Sequence, residues 1–174
     1  MKVGILKVGV LAVVLQLIGC KSNAQGPNDN SNQKEKVFSV VKSEEEWKEA
    51  LSPEEYYVLR EAGTERPFSS PLNKNYKPGT YVCAACQTPL FLSENKFDSG
   101  TGWPSFDREI KNNVAYSVDH KIGYARTEEH CATCGGHLGH VFNDGPSETT
   151  GKRHCINGVA LDFVPEGEET SSTD

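Results

Sequence analysis

A chain of 174 residues with 36% hydrophobic and 24% charged side chains can bury one ordinary core without depending on disulfides, and is short for several domains. Its formal net charge of −6, with no cluster of lysine and arginine, excludes the basic surface that a nucleic-acid partner requires. No internal repeat and no alternation of strand and helix patterns is present, which argues against solenoids and doubly wound sheets.

In chain order, Lys2 and Lys7 precede an apolar run over residues 8–18 that ends in Leu17-Ile18-Gly19-Cys20. The run falls short of the about 20 apolar residues a membrane span needs, and its charged, apolar and small-residue zones are those of a secretory signal. The ending is similar to a bacterial lipobox, which implies cleavage after residue 19, a lipid on Cys20 and an extracytoplasmic protein anchored to a bacterial membrane. A plain signal peptide and an uncleaved anchor are the alternatives. Residues 20–36 are nearly free of apolar side chains and read as a flexible tether; 166–174 read as a disordered acidic tail. The folded domain is expected over 37–165.

Ser43 followed by Glu46 is a capping box opening a short helix through Ala50, and Ser52-Pro53 opens a second helix that Gly63 stops. Beyond it the helical period vanishes, and the runs 79–83, 114–118, 123–126, 140–142 and 158–163 read as strands between Gly, Asn, Asp and Pro punctuation. The expected class is a mainly antiparallel β domain with N-terminal helices packed on it.

Cys83, Cys86, Cys131 and Cys134 form two CxxC pairs. Two such turns supply the tetrahedral four-thiolate shell that structural zinc prefers, and Gly135 and Gly136 suit the second turn. Disulfides across so long a loop would stabilise by about 4 kcal/mol, against on the order of 10 kcal/mol for a structural zinc. A thioredoxin-type redox pair would need a βαβ context that is missing. A site of Cys131, Cys134, His137 and His140 is the remaining rival.

Cys155 belongs to neither pair. It follows Arg153, and a neighbouring guanidinium favours thiolate over thiol, so Cys155 is a candidate nucleophile. His137, His140 and Asp144 lie close by in the chain and can assist as acids or bases. If the 137–140 segment is extended the two histidines occupy opposite faces, and if it turns they converge; spacing does not decide. A zinc hydrolase built on these histidines would lack a clear third ligand, and a non-catalytic zinc-stabilised binding module with Trp103 as its recognition aromatic is a further alternative.

The segments CAACQTPLF (83–91), KFDSGTGWPSF (96–106), CATCGGHLGHVFNDGP (131–146) and RHCINGVAL (153–161) resemble, in unbroken order, the signatures of methionine sulfoxide reductase B. The resemblance implies two antiparallel sheets in a tent-like, zinc-stabilised β fold. It implies reduction of methionine-R-sulfoxide, in proteins or free, by attack of Cys155 on the sulfoxide to give methionine and a sulfenic acid. His140, with His137 and Asp144, would supply protons; Trp103 would wall the substrate methyl group; Arg153 would hold the thiolate and Asn157 flank it. The partners implied are oxidised proteins and a thioredoxin-like reductant. One departure stands out: many members carry a resolving cysteine where this chain has Thr101, so the sulfenic acid is expected to be reduced by an external thiol.

Overall fold

The computed structural model of the protein describes residues 38–167; the expected signal segment, Cys20, the tether and the acidic tail beyond Gly167 lie outside the described residues. Two short helices open it, α1 (Glu44–Ala50) and α2 (Pro53–Leu59). Each begins in a complete capping box, Ser43 with Glu46 and Ser52 with Glu55, which satisfies amides that a helix start leaves orphaned. Helix α2 stops earlier than expected, with Arg60 as its C-cap, and the Gly63 amide then donates back to the Tyr57 carbonyl at 2.9 Å. Trp47, Val58 and Leu59 are the residues these helices bury most fully.

Nine strands follow: β1 (Gly79–Cys83), β2 (Pro89–Leu92), β3 (Lys96–Phe97), β4 (Ser105–Phe106), β5 (Val114–Asp119), β6 (Arg126–Cys131), β7 (His137–Phe142), β8 (Arg153–Ile156) and β9 (Leu161–Pro165). They form two antiparallel sheets, ordered β2-β1-β9 and β3-β4-β8-β7-β6-β5. The mainly antiparallel class is therefore as the sequence implies. Two strand expectations shift. The 123–126 run is mostly the β5–β6 turn, where the Gly123 amide closes onto the His120 carbonyl, and β6 begins at Arg126 where that run was expected to end. The 158–163 run begins as a 3-10 turn over Gly158–Ala160 before β9.

The core lies where rings from both sheets meet. Phe91 of β2 stacks on Phe106 of β4 at 4.4 Å, and Tyr81 of β1 meets Phe106 edge-on at 4.9 Å, within a cluster that includes Leu138, Ile156 and Leu161. Such rings bury large apolar areas at about 25 cal/mol per Å², so they hold the sheets together. The short β8 lies at the centre of the larger sheet between β4 and β7, its odd-numbered side chains turned away from the fully buried His154 and Ile156. That placement sets Cys155 on the outer face.

Candidate active site

The four paired cysteines converge. Cys83 ends β1 and Cys131 ends β6, and in each case the fourth residue beyond the cysteine is left-handed, Gln87 at φ 58° and Gly135 at φ 73°. Gly135 is needed twice over, because a side chain there would also strike the Phe38 ring at 2.6 Å. The sulfurs of Cys83 and Cys134 are 3.7 Å apart and those of Cys86 and Cys131 3.5 Å, with all four within 4.8 Å of one another. Tetrahedral thiolates 2.3 Å from a zinc ion would stand about 3.8 Å apart, so the donor set fits the metal. No disulfide joins them. The rival shell is set aside, since His137 and His140 bond to carboxylates instead: His137 Nδ1 to Glu128 at 2.6 Å and His140 Nε2 to Asp119 at 2.9 Å.

The second constellation is a row across the large sheet. Ser105 of β4 pairs with Cys155 of β8, Cys155 with His140 of β7, His140 with Glu128 of β6, and Glu128 with Ser117 of β5. Directly opposed residues on antiparallel strands share a face, so these five side chains lie on one face of the sheet, with Ser105 covered over. The question left open by spacing is answered by a β-bulge. Between the pairs Glu129–Gly139 and His130–His137 the register shifts by one, leaving Leu138 over. An extra residue reverses which face the following side chain takes. His137 therefore joins His140 on one face, their ring centroids 5.6 Å apart. Between them Gly139 is obligatory, because a Cβ there would lie 2.1 Å from the Cys155 carbonyl oxygen.

Above Cys155 and His140 lies a cavity of about 130 Å³ that Trp103, Phe142, Arg126, Thr64 and Asn157 also line. The indole Nε1 of Trp103 donates to the Glu65 carbonyl at 3.3 Å. Glu65 is pinned in turn: its amide donates to Asn157 Oδ1 at 3.0 Å, and its carboxylate accepts from the amides of Gly158 and Val159 at 2.6 and 2.9 Å. Burial raises the Glu65 carboxyl pKa, and those two amides oppose the shift. One wall of the cavity is thus apolar and fixed, while the opposite wall carries a thiol and an imidazole.

A SelR domain model matches residues 51–165. A peptide methionine sulfoxide reductase MsrB of Leifsonia xyli is 50% identical over 132 residues, covering 75% of this chain and 95% of that protein. An MsrB of Methanosarcina barkeri is 55% identical over 131 residues, covering 75% and 92%. The chain belongs to the methionine sulfoxide reductase B family. A plant relative, peptide methionine sulfoxide reductase B1, chloroplastic, of Arabidopsis thaliana, is 47% identical over 152 residues, covering 87% of this chain and 74% of its own. Among solved structures, the Mis18 "Yippee-like" domain overlays 53% of this chain and 100% of its own with 16% identity and a TM-score of 0.43, too slight a likeness to bear on function. As in the zinc site of the reductase B family, the four clustered cysteines hold zinc, which supplies a structural staple.

Several expected roles change in this reductase fold. Burial, the largest influence, pushes the Cys155 thiol above its ordinary value; the Arg153 cation and the Thr101 hydroxyl pull it down without winning, and the buried Glu129 carboxylate reinforces the rise. Burial thus works against the thiolate that the Arg153 cation favours. Arg153 serves both groups: beside its interaction with Cys155 it makes two bonds of 2.9 Å to Asp144, and its guanidinium lies 4.5 Å from the Phe142 ring centroid. Asp144 is exposed, and its hydrogen bonds from Arg153 lower its carboxyl pKa. The Asn157 amide is committed to Glu65 and the Leu138 carbonyl, which makes it a positioning residue for the Trp103 wall.

The sequence reading missed Asp119, Arg126, Glu128 and Glu65. The backbone amide of Lys121, the His140 ring and the Arg126 guanidinium hold the Asp119 carboxyl well below the usual carboxylate range. An ionised Asp119 only accepts, so His140 Nε2 donates to it and Nδ1 of a neutral ring keeps its lone pair. Burial keeps His140 neutral by lowering its pKa. Burial likewise lowers the His137 pKa, to about 4.

Two measurable consequences arise here. Alkylation of Cys155 accelerates with pH and shows no plateau near neutrality, since burial pushes the folded thiol above the ordinary cysteine range; Arg153→Gln moves the profile still higher, because the cation that favours thiolate is gone. A plateau near pH 7 in the wild-type protein refutes the buried-thiol assignment. Thr101 Oγ1 lies 3.9 Å from Cys155 Sγ, the position from which a second thiol would resolve a sulfenic acid. Thr101→Cys therefore gains a disulfide to Cys155 after one turnover, whereas a chain lacking residues 1–36 and keeping Thr101 forms none. Mass spectrometry distinguishes the two, and a Cys155 disulfide in the Thr101 protein contradicts the expectation.

Proposed function

We propose that this protein reduces methionine-R-sulfoxide to methionine in the cavity between Trp103 and Cys155, by a thiol that stays protonated until substrate arrives. The juxtaposition that carries the reading is Cys155 beside neutral His140 on one face of adjacent strands, opposite a fixed indole. The substrate methyl group packs on Trp103, whose plane Glu65 and Asn157 hold. Cys155 gives its proton to His140 Nδ1, and Asp119 stabilises the imidazolium that results. The sulfur attacks the sulfoxide, His140 returns the proton to the departing oxygen, and that oxygen ends on Cys155 as a sulfenic acid. Two electrons pass from the Cys155 sulfur to the substrate sulfur, so thiol and sulfoxide become sulfenic acid and thioether with no net proton. With Thr101 beside it, the sulfenic acid is reduced by an external thiol or a thioredoxin-like partner, which supplies two further electrons and carries the oxygen off as water.

The lipobox-like Leu17-Ile18-Gly19-Cys20 and the apolar run before it support a lipid-anchored, extracytoplasmic protein on a bacterial membrane, with residues 20–36 as tether and residues 37–165 as catalytic domain. Its substrates are then oxidised proteins of that compartment.

The experiment is an assay on the two methionine sulfoxide epimers, with and without a thioredoxin-like donor. Turnover is expected on the R epimer alone and only with donor; equal turnover of the S epimer contradicts the reading.

A further inference from the structure

Beside the reaction cavity lies a second group of side chains that could hold a metal ion. Glu128 and His130 of β6 and His137 of β7 bring a carboxylate oxygen and two imidazole nitrogens within 4.8 Å of one another. We propose that Glu128, His130 and His137 form a second, exchangeable divalent-cation site of zinc type, separate from the four-cysteine centre, whose occupancy silences the neighbouring His140.

The strand ladder builds the site. Glu128 and His130 are two residues apart on β6 and share a face, and the bulge at Leu138 brings His137 to the same side as their partner. Glu128 lies between the two rings: Oε1 is 2.6 Å from His137 Nδ1 and Oε2 is 3.9 Å from His130 Nε2. Oxygen and nitrogen ligands at the usual zinc distances stand about 3.3 Å apart in a tetrahedral shell. One ligand atom from each of the three residues already lies within 4.8 Å of the others, so rotation of side chains brings them to that spacing. One ionised carboxylate with two neutral imidazoles is a donor set for zinc and its borderline neighbours, and three protein ligands leave a fourth position for water.

Access and rigidity are both provided. The side chains of His130 and Glu128 keep 22% and 14% of their surface exposed, whereas His137 keeps 5% and is tied to Glu128. Ser117 of β5 supports the outer edge, its Oγ 2.8 Å from His130 Nε2 and 3.2 Å from Glu128 Oε2. A cation entering there replaces the proton shared between His137 and Glu128. It also places positive charge next to His140, whose ring lies 5.6 Å from that of His137 and must become cationic during turnover. Two like charges at that distance oppose each other, so a metal-loaded enzyme turns over slowly.

The test counts cations. Protein carrying its four-cysteine zinc is dialysed against micromolar zinc, and in parallel against cobalt, whose spectrum separates thiolate from nitrogen and oxygen ligation. A second equivalent is expected in the wild type, with cobalt bands free of thiolate charge transfer, and a fall in turnover that follows its occupancy. His130→Gln is expected to lose the second equivalent and the inhibition while keeping the first zinc and basal turnover. His130→Asp restores the second equivalent, which a merely structural role for His130 would not do. If His130→Gln fails to retain its first zinc, Glu128→Gln, read by stoichiometry alone, replaces it. A wild type that binds one equivalent only, or a variant that keeps the second, overturns the site. A second equivalent without loss of turnover overturns the coupling to His140. The inhibition rests on the proposed reaction, whereas the stoichiometry does not.

Discussion

Cys155→Ser abolishes sulfoxide reduction and releases no methionine even in a single turnover. A serine hydroxyl cannot donate the electron pair and accept the oxygen, so nothing replaces the lost step. Loss of a sole nucleophile removes at least about 1,000-fold of the rate. The fold survives, because the side chain points away from the core and the neighbouring pairs Ser105–Cys155 and His140–Cys155 are made by backbone. Circular dichroism and zinc content are therefore unchanged while quenched-flow assays show no product. A burst of methionine from the serine variant would transfer the nucleophile's role elsewhere.

The second large effect is on stability. Cys83→Ser is expected to lose its zinc and its cooperative unfolding together. Cys83 is fully buried at the end of β1, and its sulfur lies 3.7 Å from that of Cys134, so one thiolate joins the small sheet to the knuckle after β6. A structural zinc contributes on the order of 10 kcal/mol, and a whole domain has about 5 to 15 kcal/mol of stability. Losing the staple removes most of that margin. Metal analysis with calorimetry checks the outcome: a Cys83→Ser protein that keeps one zinc and a sharp transition would mean that Cys131 and Cys134 find other ligands.

Much of the chemistry was legible in the chain because it is written locally. The capping serines Ser43 and Ser52 act over three residues, and both helices start where they predict. A CxxC pair is a turn whose two sulfurs must point one way, so the zinc cysteines could be named before any fold was known. The strand that carries the nucleophile was harder to see. Residues 153–156 are four residues long and mix charged with apolar groups, and they form β8 only because β4 and β7 pair with it on either side. Strand propensity is weak against such context.

The roles around Cys155 show the same division. By itself the sequence determined the residue types and their spacing: a lone cysteine, two histidines, two CxxC turns and a threonine at position 101. Only the tertiary structure decided which of them act together. The bulge at Leu138 turned His137 and His140 to one side, and the β5–β6 hairpin delivered Asp119 to His140. Burial outweighed Arg153 at the thiol, while Asp144 shared the guanidinium with it. Face, burial and charge balance depend on strands distant in sequence, and a change of register by one residue reverses every facing. Chemistry could be read from neighbours in the chain; its protonation and partners came from neighbours in space.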